Sequence, residues 1–166
     1  MSFIENQIYV KGKKRKIYRF ETNSHLASQS KDLYSYLSKK SFSVRSESNS
    51  ARLISKLIRG NIKKGYKAIY IADITKFFDT IPHNLLLGEL KPKLDEQYFD
   101  YLRKLLFQFS LVVGQKNGLP TGINIANLLS ELYLYDLDEK FRKMGIDLDF
   151  YYLRYVDNFI FMFNNE

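Results

Sequence analysis

Residues 67–79 read Lys67-Ala68-Ile69-Tyr70-Ile71-Ala72-Asp73-Ile74-Thr75-Lys76-Phe77-Phe78-Asp79. The run from Lys67 to Ile74 is apolar on both faces and rich in β-branched residues, the pattern of an interior strand. It ends in an acid, Asp73. Pro82 then suits the first turn of a short helix reaching about Leu90. A strand that delivers a carboxylate to its end and feeds a helix points to a mixed α and β fold, and the flanking sequence agrees.

Upstream, Ile8-Tyr9-Val10, the basic turn Lys11-Gly12-Lys13-Lys14 and the run from Arg15 to Phe20 predict a hairpin. A helix is expected from His25 to Lys40, then a polar, turn-like stretch from Ser41 to Ser50 in which Asn49 or Ser50 can cap the next helix. Ile54, Ile58 and Ile62, beside Leu53 and Leu57, predict that helix from Ala51 to Lys64, ended by Gly65. Downstream, Phe99, Leu102, Leu106 and Phe109 form one stripe of a helix from Asp95 to Phe109. Leu111 to Gly122 reads as a loop. The longest helix runs from Asn124 to about Met144, with Ile125, Leu128, Leu129 and Leu132 inward. The sequence closes on an aromatic hairpin with Val156-Asp157-Asn158 at its tip. Without repeats, low-complexity tracts or linkers, this is one α+β unit.

Composition narrows the function. The 166 residues include no Cys and two His, which excludes a disulfide scaffold, a thiolate metal site and a cysteine nucleophile and disfavours a histidine zinc site. The aromatic content of 16% argues against disorder. No apolar stretch approaches membrane-spanning length and the start lacks a signal-peptide pattern, so the expectation is a cytoplasmic protein with no membrane partner. The net charge of +8 is divided unevenly: residues 1–70 hold 16 Lys and Arg against 4 Asp and Glu, and residues 71–166 hold 10 against 14. A basic front and an acidic back suggest a polyanion surface beside a carboxylate site. On charge alone, a solvated Lys-rich surface accounts for it equally well.

Three segments carry chemistry: Asp73 to Asp79, the tight loop Gly118-Leu119-Pro120-Thr121-Gly122 before the long helix, and Tyr155-Val156-Asp157-Asn158. Strands ending in carboxylates are what two-metal phosphoryl transfer requires. Mg²⁺ takes hard oxygen ligands and is commonly held by one or two carboxylates plus substrate phosphates. Asp73 and Asp157 can meet if their strands lie side by side. Either aspartate taken alone reads as a strand-end cap or a turn residue.

In order, DITKFFDTIPHNLL (73–86), GLPTG (118–122) and YLRYVDNFIF (152–161) resemble motifs A, B and C of reverse transcriptases, above all the bacterial group II intron, retron and abortive-infection or phage-defence types. SFSVRSESNSARLISKLI (41–58) resembles the segment preceding motif A, and KKRKIYRF (13–20) the fingers hairpin. The resemblance implies the fingers and palm of a right-hand polymerase, with a basic fingers region over 1–66 and a palm over 67–166. It implies two-metal transfer from a deoxynucleoside triphosphate to a primer 3′-hydroxyl on an RNA template, with a DNA or RNA primer and with Mg²⁺, or Mn²⁺, as cofactor. Asp73 and Asp157 would ligate metal, with the Ile74 carbonyl and Asn158 assisting. Phe78 would be the aromatic gate against a ribose 2′-hydroxyl, while Phe77 reads as core. Arg15, with Lys11 or Lys13, would contact the triphosphate, and Thr121 and Gly122 would line the nucleotide site. Asp79 is expected to hold local backbone, and His83 to be a polar residue of its helix, not a catalyst.

The chain departs from the family pattern at Asn158, where a second aspartate is usual, and at Thr121, where intron and retron enzymes often carry glutamine; Pro120-Thr121-Gly122 is closer to the defence-associated reverse transcriptases. It also stops just beyond motif C. The expectation is a front part of a longer polypeptide, thumb absent, whose last strand, rich in Phe and Ile, leaves an open palm edge prone to self-association. The alternative function is a non-catalytic nucleic-acid-binding or assembly module with a degenerate palm site. An RNA-templated RNA polymerase is disfavoured by Phe78.

Overall fold

The computed structural model describes residues 2–10, 12–39 and 51–164. Lys11, the capping candidates Asn49 and Ser50, and most of the segment preceding motif A lie outside the described residues. The chain divides into two compact units that interleave in sequence, Met1–Phe42 with Lys76–Tyr133, and Ser43–Thr75 with Leu134–Glu166.

In the first unit, β1 (Phe3–Val10) and β2 (Lys13–Phe20) form an antiparallel hairpin in register from Phe3↔Phe20 to Val10↔Lys13. It starts five residues earlier than the apolar triplet at Ile8 suggested. Helix α1 (His25–Lys39) buries Leu26, Ser30, Leu33 and Leu37, one stripe at 3.6-residue spacing. A single turn, α3 (Phe77–Thr80), precedes α4 (His83–Leu90), for which Pro82 is the N-terminal flank. Helix α5 (Glu96–Val113) buries Leu102, Leu105, Leu106 and Phe109 and packs on α1. It outruns the expected end at Phe109. Leu111, Val112 and Val113 keep helical geometry, and the chain turns only at Gly114, whose φ of 74° supplies the left-handed C-terminal residue. The hairpin docks on this helix through Phe3 and Tyr18, whose rings lie edge-on to Phe109 at 5.7 and 4.8 Å.

In the second unit, β3 (Ala68–Asp73), β4 (Phe150–Tyr155) and β5 (Asn158–Phe163) make an antiparallel sheet in the order β3-β5-β4. Helix α2 (Ala51–Lys63) covers one face: Ile54, Leu57 and Ile58 pack with Leu153, Ile160 and Met162. Helix α6 (Asn124–Asp147) supplies Phe141 to the other face, against the rings of Tyr152, Phe159 and Phe161.

Two strand expectations are corrected. β3 is an edge strand among the described residues, with Tyr70 62% and Ile71 59% exposed. An apolar run reports which faces can be buried and carries no information about neighbours along the sheet. Conversely, β5, the Phe- and Ile-rich last strand, is central and not an open edge, because the final hairpin folds it between β3 and β4. No helix among the described residues is long and apolar enough to cross a membrane.

Candidate active site

Asp73 ends β3 and pairs directly across the sheet with Asn158, which begins β5. Cross-strand partners project to the same face. The ladder runs one step further, since the Ile74 N–H donates to the Asp157 carbonyl over 3.3 Å. Asp157 lies in the two-residue turn Val156-Asp157, because Tyr155 pairs with Asn158. The neighbouring strands that Asp73 and Asp157 needed are therefore present. Asp73 is exposed, and Asp157 and Asn158 are half-buried.

The Asn158 amide donates to Asp157 Oδ1 at 2.9 Å. An ionised carboxylate at that position could not make this bond, so Asn158 tethers Asp157 where an acid would repel it. Among the described residues no three or more His, Asp or Glu side chains gather to form a metal cage. What is present is a set of hard oxygen donors: two carboxylates, the Asn158 side-chain oxygen and backbone carbonyls. That set fits Mg²⁺ with a shell completed by substrate phosphates, and it does not form a self-sufficient site.

Val156 has φ 56°. The first residue of such a hairpin turn is ordinarily glycine, and a β-branched residue in the left-handed region costs on the order of 1–3 kcal/mol. Its carbonyl accepts a 2.8 Å bond from Arg154 Nη1. Arg154 points into the protein, where it pairs with Asp138 of α6: Nη2 lies 2.6 Å from Oδ2 and Nε 2.9 Å from Oδ1. Both side chains are 1% exposed. The Tyr152 hydroxyl donates to Asp138 Oδ1 at 2.6 Å. Burial first, then the bond to the Asp138 carboxylate, drives the Tyr152 phenol far above its ordinary range, so it is a permanent donor. Sequence reasoning missed these three residues. The signal it had was a lone cation in Phe150–Tyr155, a strand otherwise aromatic and aliphatic.

The residues expected at the nucleotide belong to the first unit. Lys13 and Arg15 are exposed on β2, opposite Val10 and Ile8, and by strand alternation share a face. Thr121 is turned to the hairpin: its hydroxyl donates to the Lys16 carbonyl at 3.0 Å, and its own carbonyl accepts from the Tyr18 N–H at 2.6 Å. Gly122, at φ 97°, lies so close to this strand that a Cβ would meet the Tyr18 oxygen at 2.9 Å. The close approach that this glycine permits is to the hairpin backbone. The other end of the loop is stitched to the segment after Asp73, by Leu119 N–H to Phe78 O at 2.7 Å and Gly118 N–H to Ile81 O at 2.8 Å. Phe77 is buried and Phe78 half-buried, their rings edge-on at 5.4 Å.

His83 is also buried, with Nε2 2.7 Å from the Gly118 carbonyl. Burial lowers its pKa below 6.5, against the opposing pull of that carbonyl. The neutral ring must carry its proton on Nε2 to make the bond. It is a strut under the loop.

Residues 7–166 match the family described as reverse transcriptase (RNA-dependent DNA polymerase). Two curated relatives are named for introns. The "Uncharacterized 91 kDa protein in cob intron" of Schizosaccharomyces pombe is 30% identical over 83 residues, 47% of this chain and 10% of that protein. The "Putative COX1/OXI3 intron 2 protein" of Saccharomyces cerevisiae is 35% identical over 74 residues, 40% of this chain and 8% of that protein. The matched stretches thus span a tenth or less of those relatives. The ordered motifs, the antiparallel sheet with Asp73 beside the Asp157 turn, and a match over nearly the whole chain lead to one assignment: the chain belongs to the reverse transcriptase (RNA-dependent DNA polymerase) family.

Proposed function

We propose that this chain carries the fingers (1–66) and palm (67–166) of an RNA-directed DNA polymerase. In this reading a primer 3′-oxygen attacks the α-phosphorus of a deoxynucleoside triphosphate, the O–P bond forms, the bond to the β-phosphate oxygen breaks, and pyrophosphate leaves. The observation that carries the reading is the register Asp73↔Asn158, which brings Asp73 to the Asp157 turn. Asp73, Asp157, the Asn158 oxygen and the Ile74 carbonyl would hold Mg²⁺ or Mn²⁺. A cation bound there lowers the pKa of the attacking hydroxyl and offsets charge on the leaving group.

The remaining roles belong to the first unit. Arg15, with Lys13, offers guanidinium and ammonium donors to the triphosphate. Phe78 presents an aromatic edge to the sugar, and Thr121 and Gly122 fix the loop beneath it. Template and primer would be RNA with DNA or RNA. The two relatives named for introns favour an intron-type over a defence-type subclass. Catalysis here would be largely positioning and charge compensation.

The test is Mg²⁺-dependent dTTP incorporation on a poly(rA)/oligo(dT) duplex, with Asp73→Asn beside the wild type. Incorporation that falls at least ~100-fold, with retained duplex binding, supports the reading. Asn158 favours a second one, a nucleic-acid-binding module with a weakened palm site. Duplex binding with no incorporation by any variant, in Mg²⁺ or Mn²⁺, would select it.

A further inference from the structure

We propose that Arg154 is a positioning residue: clamped by Asp138 and Tyr152, its guanidinium holds the Val156 carbonyl, keeps the turn in its left-handed conformation and so sets where the Asp157 carboxylate points. This rests on the reading of Asp157 as a metal ligand.

Three observations converge on it. Val156 is β-branched yet sits at φ 56°, one residue before Asp157. Left to itself it would relax toward an extended conformation and swing the next residue. The Arg154 Nη1 bond to the Val156 oxygen opposes this relaxation. The guanidinium is itself immobile, because two of its nitrogens are forked onto Asp138 and both partners are sealed from water. Tyr152, two residues earlier on the same strand and on the same face, then fixes Asp138 by a 2.6 Å bond. A charge pair of this kind is costly to bury and is not needed to fill the sheet face, where Phe141, Phe159 and Phe161 already pack. Its geometry is explained by what the third nitrogen does. Lysine cannot substitute: a single ammonium has no planar fork to serve a carboxylate and a carbonyl in fixed directions.

The experiment uses the whole 166-residue chain. Wild type, Arg154→Lys, the double variant Arg154→Lys with Val156→Gly, and Asp157→Asn are compared by Mn²⁺ affinity from water-proton relaxation in the presence of dTTP, whose phosphates complete the metal shell, and by the backbone chemical shifts of residue 156, with thermal unfolding as the fold check. Arg154→Lys should weaken Mn²⁺ binding at least ~5-fold and move the Val156 shifts out of the left-handed range. Val156→Gly, which is at ease at positive φ, should restore more than half of the lost affinity without restoring the unfolding midpoint. Unchanged Val156 shifts in Arg154→Lys overturn the proposal, as does a lost affinity that the glycine does not recover, since the pair would then serve packing alone. If Arg154→Lys does not fold, Tyr152→Phe removes one clamp and keeps the ion pair; a shift of the same sign supports the proposal and none overturns it. Mn²⁺ binding unaffected by Asp157→Asn sinks the metal reading instead, and the residue 156 shifts still decide whether Arg154 holds the turn.

Discussion

Asp73 and Asn158 face one another across the β3–β5 ladder, and the Asn158 amide reaches back to Asp157 Oδ1 at 2.9 Å. An amide that donates to one carboxylate beside a second lowers repulsion between them at the expense of metal attraction. Asn158→Asp reverses both effects. Without metal the unfolding free energy should drop by about 1 kcal/mol, the scale of one lost hydrogen bond. At limiting Mg²⁺, incorporation should rise at least ~3-fold. Calorimetry and a Mg²⁺ titration of incorporation check the two halves, and no gain at any Mg²⁺ concentration would remove Asn158 as the weak point.

Phe77 and Phe78 are adjacent but differ in burial. Phe77 is 3% exposed, so Phe77→Ala should cost about 3–5 kcal/mol, seen as a large fall in the unfolding midpoint. Phe78 is half-buried. Phe78→Val should leave the midpoint nearly in place and reduce the preference for deoxynucleotides over ribonucleotides at least ~10-fold. Competition between dTTP and UTP on the same duplex reads this directly, and an unaltered ratio would return Phe78 to the core.

Gly122 tests the coupling of loop to hairpin. Alanine there is strained at φ 97° and drives its Cβ toward the Tyr18 oxygen. Gly122→Ala should destabilise by on the order of 1–3 kcal/mol and speed hydrogen exchange at the Tyr18 amide, whose bond to the Thr121 carbonyl must lengthen. Gly60, where a Cβ would meet nothing within 4 Å, is the control, and its alanine variant should be neutral or stabilising.

The His83 ring gives a pH dependence of known sign. Burial places its folded-state pKa below the unfolded 6.5. As pH falls, the unfolded chain takes up the proton first. The contribution of His83 to stability is therefore complete above about pH 6.5 and is lost as pH drops through the folded-state value. His83→Gln should show a shallower decline in unfolding free energy between about pH 7.5 and 5.5. Identical slopes in denaturant titrations would mean that other groups set the acid response.

Local patterns were legible to the extent that local physics decided them. Helices α1, α2 and α5, the final hairpin and the end of β3 at Asp73 follow from periodicity and turn chemistry. The position of β3 at the sheet edge does not, since strand order is fixed by which partners fold between, and β5 took the centre. The extension of α5 to Val113 was hidden by three β-branched or apolar residues that read as loop approach, until Gly114 provided the stop. Among site residues, the carboxylates announced themselves by their place at strand ends. Arg154, Asp138 and Tyr152 did not, because their chemistry arises from a helix and a strand meeting. Thr121 and Gly122 were legible as a tight loop, but their hold on β2 spans a separation that no local pattern encodes.

That hold has a consequence for how the chain comes to its structure. An isolated two-stranded hairpin is marginal in water, and this one is secured by Phe109 and by the Thr121 bond to Lys16, 105 residues away in sequence. During synthesis the basic ribbon precedes the Thr121 anchor by 105 residues and must wait roughly 5–20 s, at usual elongation rates, before that anchor is made. Throughout that interval it is a cationic, aromatic-bearing strand pair without a floor. The hairpin is therefore secured only once the loop at 118–122 has been made, and substitutions in that loop should register as slow or failed maturation of nascent protein before any defect in the finished fold.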